Sequence, residues 1–254
     1  MGDLTDKTLF KALDGLRPVH GGRGRYPDVG LWTEHLDPQQ LQPCVYGYHL
    51  ARGPQVLNWL APDLYVAEAC PDHPPVDDGH KLVTCRVRLV RRLDRWEDVT
   101  ARLFAADCAE GALLGERASG REPDERSWAA VDAARRFARG EIRSAALSAA
   151  WEAALDAAAA ARVAARDTAK AAAAAAARAA RAAAAAATWG AAGDAAKAAA
   201  WDAAEAASWD AGWAASATAR DAAKDALYRR LCAYLEGAPI PPVEPLYGKE
   251  APGE

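Results

Sequence analysis

Residues 82–90 read LVTCRVRLV, and their alternation decides how the first half of the chain folds. Val83, Cys85, Val87 and Leu89 share one side of a two-residue period, with Thr84, Arg86 and Arg88 on the other. Successive side chains of an extended chain point to opposite faces, so this is the pattern of a strand with one buried and one wet face. Just upstream, residues 71–81 (PDHPPVDDGHK) are dense in turn formers, and residues 64–69 (LYVAEA) form a second compact strand. The two read as an antiparallel pair joined by a long loop. A third strand is expected near residues 45–50, a short helix over 54–60, and a longer helix over 97–114 from the spacing of Val99, Leu103, Phe104, Cys108 and Leu113. At the amino end, Leu4, Leu9, Phe10, Leu13 and Leu16 have roughly helical spacing, so residues 4–16 are also predicted to be helical.

The composition changes abruptly further on. From residue 151 to residue 220, 41 of 70 positions are alanine, and no proline occurs between Asp124 and Ala238. Alanine has the highest helix preference because it loses no rotamer freedom on ordering. Helices are therefore predicted over 127–139, 141–189 and 194–235, with Gly140, Gly190, Gly193 and Gly212 as the available bends. A solenoid of very short strands is the weaker alternative, since β-branched residues are scarce there. The fold class expected is α+β: a small mixed domain over 1–115, a polar linker over 116–126, alanine-rich helices over 127–236 forming a hairpin or bundle, and a proline-rich tail over 237–254.

Charge narrows the functional classes. The net charge is -4, and the first 126 residues hold 16 Lys or Arg against 20 Asp or Glu. Neither half has the local positive excess that phosphate-backbone recognition draws on, so nucleic acid is not an expected partner. The opening residues lack the pattern of a secretory signal, and arginines interrupt the alanine tract too often for a bilayer span, so a cytoplasmic, membrane-free protein is predicted. Five widely spaced cysteines, Cys44, Cys70, Cys85, Cys108 and Cys232, fit reduced thiols in that compartment.

Candidate site residues cluster in the first domain. Gly47 permits a tight backbone approach, Tyr48 offers a ring with a polar end, and His49 both donates and accepts, making Tyr48, His49 and Glu68 the first residues to follow for acid–base chemistry. Arg86, Arg88, Arg91 and Arg92 form the best anion-binding stretch, diluted by Asp94, Glu97 and Asp98. Cys70, His73, His80 and Cys85 are four metal-capable residues, but the strand cysteine and the loop histidines are expected to face apart, so no metal is predicted there, nor any cofactor. In the alanine region, Trp189, Trp201, Trp209 and Trp213 are the candidate interaction residues.

The run Cys44-Val45-Tyr46-Gly47-Tyr48-His49, followed by the aromatic-containing segment at 57–60 and the two strands, resembles an uncharacterised bacterial and phage-associated domain family with a Cys-x-x-Gly-aromatic-His motif. The resemblance implies this order of elements and small-residue-rich repeats after the domain, and no particular reaction. The function expected from the whole sequence is a protein-interaction or architectural module, its helices a rigid spacer or assembly surface for an unknown protein partner or for self-association. The alternative is a small-molecule or nucleotide-processing enzyme with its site in the first domain.

Overall fold

A computed structural model describes residues 4–19, 22, 24–164, 178–179, 197–204, 206 and 212–248. The fold is α+β, and the chain divides into two compact units: residues 1–97 with Leu235–Gly237, and residues 98–234 with 238–254.

The first unit is a six-stranded antiparallel sheet of β1 (Leu9–Leu13), β2 (Tyr48–Arg52), β3 (Asp63–Ala69), β4 (Val76–Asp77), β5 (Leu82–Thr84) and β6 (Val87–Arg92), ordered β4-β5-β2-β1-β3-β6. The helix expected over 4–16 is instead the strand β1, central in the sheet and paired with both β2 and β3. Its apolar residues satisfy two periods at once: Leu9 and Leu13 are i,i+4 in a helix but also share one face of a strand. The partners decide between them, since β1 pairs with β3 along its whole length and with β2 at Leu9 and Phe10.

The single strand expected at 82–90 is two. Tyr48, His49 and Leu50 of β2 pair with Thr84, Val83 and Leu82 of β5, whereas β6 pairs with β3 from Ala69↔Val87 to Tyr65↔Arg92. Thr84 and Val87 are three residues apart, at most about 11 Å along the chain, while four strand spacings across a flat sheet measure about 19 Å. The sheet must therefore curl until its ladders meet through the bend at Cys85 and Arg86. The circuit runs β1 to β2, β2 to β5, through the bend to β6, then β3 and back to β1. Inside it lie Leu13, Tyr26, Leu50, Tyr65, Ala67, Leu82, Val87 and Leu89. Residues 30–36 run along the outer side of β6, where the Gly30, Thr33 and Leu36 amides donate to the Leu89, Val87 and Cys85 carbonyls. Alternation holds from Cys85 to Val90, but Thr84 is fully buried. Its hydroxyl accepts from the Cys70 amide and donates to the Arg86 carbonyl, which satisfies it without water.

The second unit begins with α1 (Asp98–Ala118), so the helix expected over 97–114 runs four residues further. It is followed by α2 (Glu125–Ala138), capped at its start by the Asp124 carboxylate accepting from the Arg126 amide, and by α3 (Ser144–Ala164). α1 packs on α2 and α2 on α3. The contact is built from small side chains: Ala105, Ala109 and Ala112 of α1 and Ala130 and Ala134 of α2 are all buried. α4 (Gly212–Glu236) closes the helical region. Buried Asp107 on α1 accepts from Arg135 on α2 at 2.6 Å and from Arg230 and Tyr234 on α4 at 2.6 and 2.7 Å, so one carboxylate joins three helices. Between α3 and α4, residues 178–179 and 197–204 are helical, and Arg178 pairs with Asp202 at 3.2 Å. Beyond α3, the rest of the helix expected over 141–189 lies outside the described residues, as does the rest of the part of the 194–235 helix that precedes α4. No helix among those described is long and apolar enough to cross a membrane.

Candidate functional site

The ladder between β1 and β2 is short. Leu9 faces Arg52 and Phe10 faces Ala51, and there the pairing stops. Beyond that point β2 turns to β5, and its carbonyl groups need another donor. Lys11 supplies it: its Nζ donates to the His49 carbonyl at 2.8 Å. By the two-residue period Lys11 shares the face of Leu9 and Leu13, the inner one, and its ammonium lies 4.8 Å from the centre of the Tyr26 ring. Burial pulls its pKa down to about 8.

A cavity of about 340 Å³ opens where the two strands part, bordered by Lys11, Cys44, Gly47, His49, Trp59 and Lys81 among others. Lys81 is buried, with Nζ 2.7 Å from Cys44 Sγ and 4.9 Å from the Trp59 ring centre. The Trp59 indole donates to the His80 carbonyl, which fixes the residue preceding Lys81. Cys44 has a left-handed φ of 63°, and its amide donates to His49 Nε2 at 3.0 Å. Gly47 has φ 127°, and a Cβ there would collide with Val83 and press on Leu41. The Cys-x-x-Gly-aromatic-His motif is therefore a loop folded back on its own histidine. Burial, then the charges of Lys11 and Lys81, pull the His49 pKa down to about 4, with Asp78 opposing them. At neutral pH the ring is uncharged; its Nε2 is an acceptor, which leaves the proton on Nδ1. Among the described residues bordering this cavity there is no carboxylate.

Of the three acid–base candidates read from sequence, His49 alone borders the cavity. Tyr48 packs edge-on against Tyr26, ring centres 5.9 Å apart, on the inner side of the sheet. Glu68 lies on another face, ion-paired with Arg88. The arginines do not converge. Arg86 donates to the Thr33 carbonyl and stacks with Arg88 on the Trp32 ring, whereas Arg92 pairs with Asp63, beyond the register shift between Val66 and Ala67. Arg91 is half-buried on the same strand. Trp201 is 55% exposed, with Lys224 Nζ 5.7 Å from its ring centre. Trp189 and Trp209 lie outside the described residues, and Trp213 is placed only as a backbone position in α4.

Sequence reasoning missed Lys11 and Lys81. Lys11 lies within the stretch expected to be helical, and its strand assignment is what places it on the inner face with Leu9 and Leu13. The four metal-capable residues of the sequence are not brought together as a set: His35, from a distant segment, joins Cys70 and Cys85, with the three ligand atoms within 4.8 Å of one another, while neither His73 nor His80 is among them. Comparison of the chain with known proteins finds no matching family model and no curated protein or solved structure of significant similarity.

Proposed function

We propose that the first unit binds a small anionic molecule in the cavity between β1 and β2, and that the helical unit is the architectural part of the protein. The observation carrying this reading is the pair of buried lysines bordering one cavity whose described lining residues include no carboxylate, the Asp78 carboxylate that accepts from the Lys81 amide lying outside that lining. A buried ammonium without an anion costs stability, and a ligand carboxylate or phosphate placed between Lys11 and Lys81 would offset that cost. The volume suits a compact ligand, with Val56 and Trp59 for an apolar portion. Binding is favoured over catalysis because His49 spends its acceptor nitrogen on the Cys44 amide, leaving no lone pair for general-base work.

The test is a thermal-shift and calorimetric panel on the full chain with inorganic phosphate, a nucleoside monophosphate and a dicarboxylate. One class should raise the melting temperature in a saturable manner, and Lys81→Met should abolish the effect while the protein stays folded. No shift with any anion, or a shift that Lys81→Met leaves intact, refutes the proposal.

A second reading concerns the helical unit as an assembly surface. It is supported by Trp201, exposed on the segment whose Ala199, Ala200, Ala203 and Ala204 are buried. Large exposed aromatics are enriched where proteins meet. If the surface mediates self-association or partner binding, Trp201→Ala lowers the mass of the particle measured by light scattering; an unchanged mass across concentrations removes Trp201 from that role.

A further inference from the structure

We infer that Cys70, Cys85, His35 and His73 form a zinc site that locks the bend of the sheet. Three separate stretches of chain meet there. Cys70 follows the last residue of β3, and Cys85 occupies the break between β5 and β6. His35 is carried by residues 30–36, and its position is fixed from both sides: Thr33 exchanges hydrogen bonds with Val87 through its amide and its hydroxyl, and the Leu36 amide donates to the Cys85 carbonyl at 2.9 Å. Both thiols are buried and His35 is exposed, so the metal would sit at the rim of the sheet, thiolates inward and imidazole outward.

The ligand atoms of His35, Cys70 and Cys85 already lie within 4.8 Å of one another. Around tetrahedral zinc, bond lengths of roughly 2.0 to 2.3 Å separate neighbouring ligand atoms by roughly 3.3 to 3.8 Å. Closing the remaining gap needs about 1 Å of side-chain rotation and no change of fold. The fourth ligand would be His73, three residues after Cys70, which lies outside that group of three but has its ring centre 6.0 Å from that of His35, so its side chain must swing in to complete the set. Two thiolates and two imidazoles in a tetrahedral set select zinc over the oxygen-seeking cations. Binding displaces one proton from each thiol, and four protein ligands leave no open position, so the role is structural.

This set differs from the sequence's Cys70, His73, His80 and Cys85 by one residue, and that residue is what the sequence spacing concealed. His35 is 35 residues from Cys70 along the chain but adjacent in space. The site is separate from the lysine-bordered cavity and does not depend on the anion-binding reading.

The test uses full-length protein purified under reducing conditions without chelator. Elemental analysis should give about one zinc per chain, and cobalt chloride added to the stripped protein should produce the absorption bands of a tetrahedral cobalt dithiolate. Cys70→Ser and Cys85→Ser should abolish metal retention. His35→Ala and His73→Ala should each weaken retention against a competing chelator by more than about tenfold, since even outer partners of a metal site command that much. His80→Ala should have no effect. Should the cysteine variants fail to fold, the cobalt spectrum of the unmutated chain and the exposed His35→Ala variant still decide the question. Reduced protein that takes up neither zinc nor cobalt overturns the proposal, as does a native Cys70–Cys85 disulfide whose reduction confers no metal binding. Unchanged retention in His35→Ala also overturns the ligand set.

Discussion

Replacing Lys11 with methionine removes an ammonium group from the inner face of a sheet, and the size of its effect follows from the lowered pKa. The shift from 10.5 to about 8 corresponds to about 3 kcal/mol of penalty on the charged form, at about 1.4 kcal/mol per unit. Lys11 is only 9% exposed, so solvent screens little of this. A lysine whose folded pKa lies below its unfolded one takes up a proton on unfolding between the two values. Stability therefore rises with pH through the window from about 8 to 10.5, and the full penalty is present below it. Methionine keeps the apolar stem but leaves the His49 carbonyl without its donor, a loss of roughly 1 to 3 kcal/mol that does not depend on pH. Near neutral pH the two losses nearly cancel, and Lys11→Met lies within about 2 kcal/mol of the parent. Towards pH 10.5 the parent gains about 3 kcal/mol on the variant. Urea unfolding of both proteins across this range isolates the lysine, because His49, the titration that the charge of Lys11 also shifts, is complete well below pH 8. A stability difference that stays flat, or that moves against the parent as pH rises, would refute the assignment of Lys11 as a buried, desolvated ammonium.

Three further outcomes are expected. Gly47→Ala forces a Cβ into Val83 at a left-handed backbone position and should cost more than about 2 kcal/mol in the same urea assay. Asp107→Asn leaves Arg135 and Arg230 facing a neutral amide and should cost about 3 kcal/mol, read as a lowered melting temperature of the full chain. Cys44 is exposed while Cys70, Cys85, Cys108 and Cys232 are buried. Iodoacetamide should therefore label Cys44 first in the native protein, and a bound anion should slow that labelling, as followed by peptide mass.

The strands were legible where burial is one-sided. Residues 85–90 alternate cleanly, and the structure pairs that strand with residues 64–69, where Leu64 and Tyr65 are both buried. The bend inside 82–92 was not legible, because Cys85 continues the apolar alternation straight through the break; closure of the ladders, a property of five strands together, is what interrupts it. Residues 4–16 misled for a related reason: Leu9 and Leu13 fit both periods, and only the flanking strands choose. The helices of the second unit followed from alanine content and from Gly140, whose φ of 73° ends α2 as expected. The cavity was half legible. His49 stood out as part of a motif, but nothing local marks Lys11 or Lys81 as turned inward, since a lysine usually points to water.

The curl of the sheet has a consequence for how the protein behaves in a crowd of its own copies. Strand edges with unsatisfied amides and carbonyls are templates on which other chains add. Here β6 is flanked by residues 30–36, and β2 divides its bonds between β1 and β5. The terminal strand of the sheet, β4, is two exposed residues long and ends in Asp77, which is ion-paired with Arg52. A two-residue edge carrying a charge offers too short a ladder to nucleate cross-chain pairing. Any self-association of this protein should therefore run through helical surfaces and leave its β content, followed by infrared amide bands, unchanged on concentration.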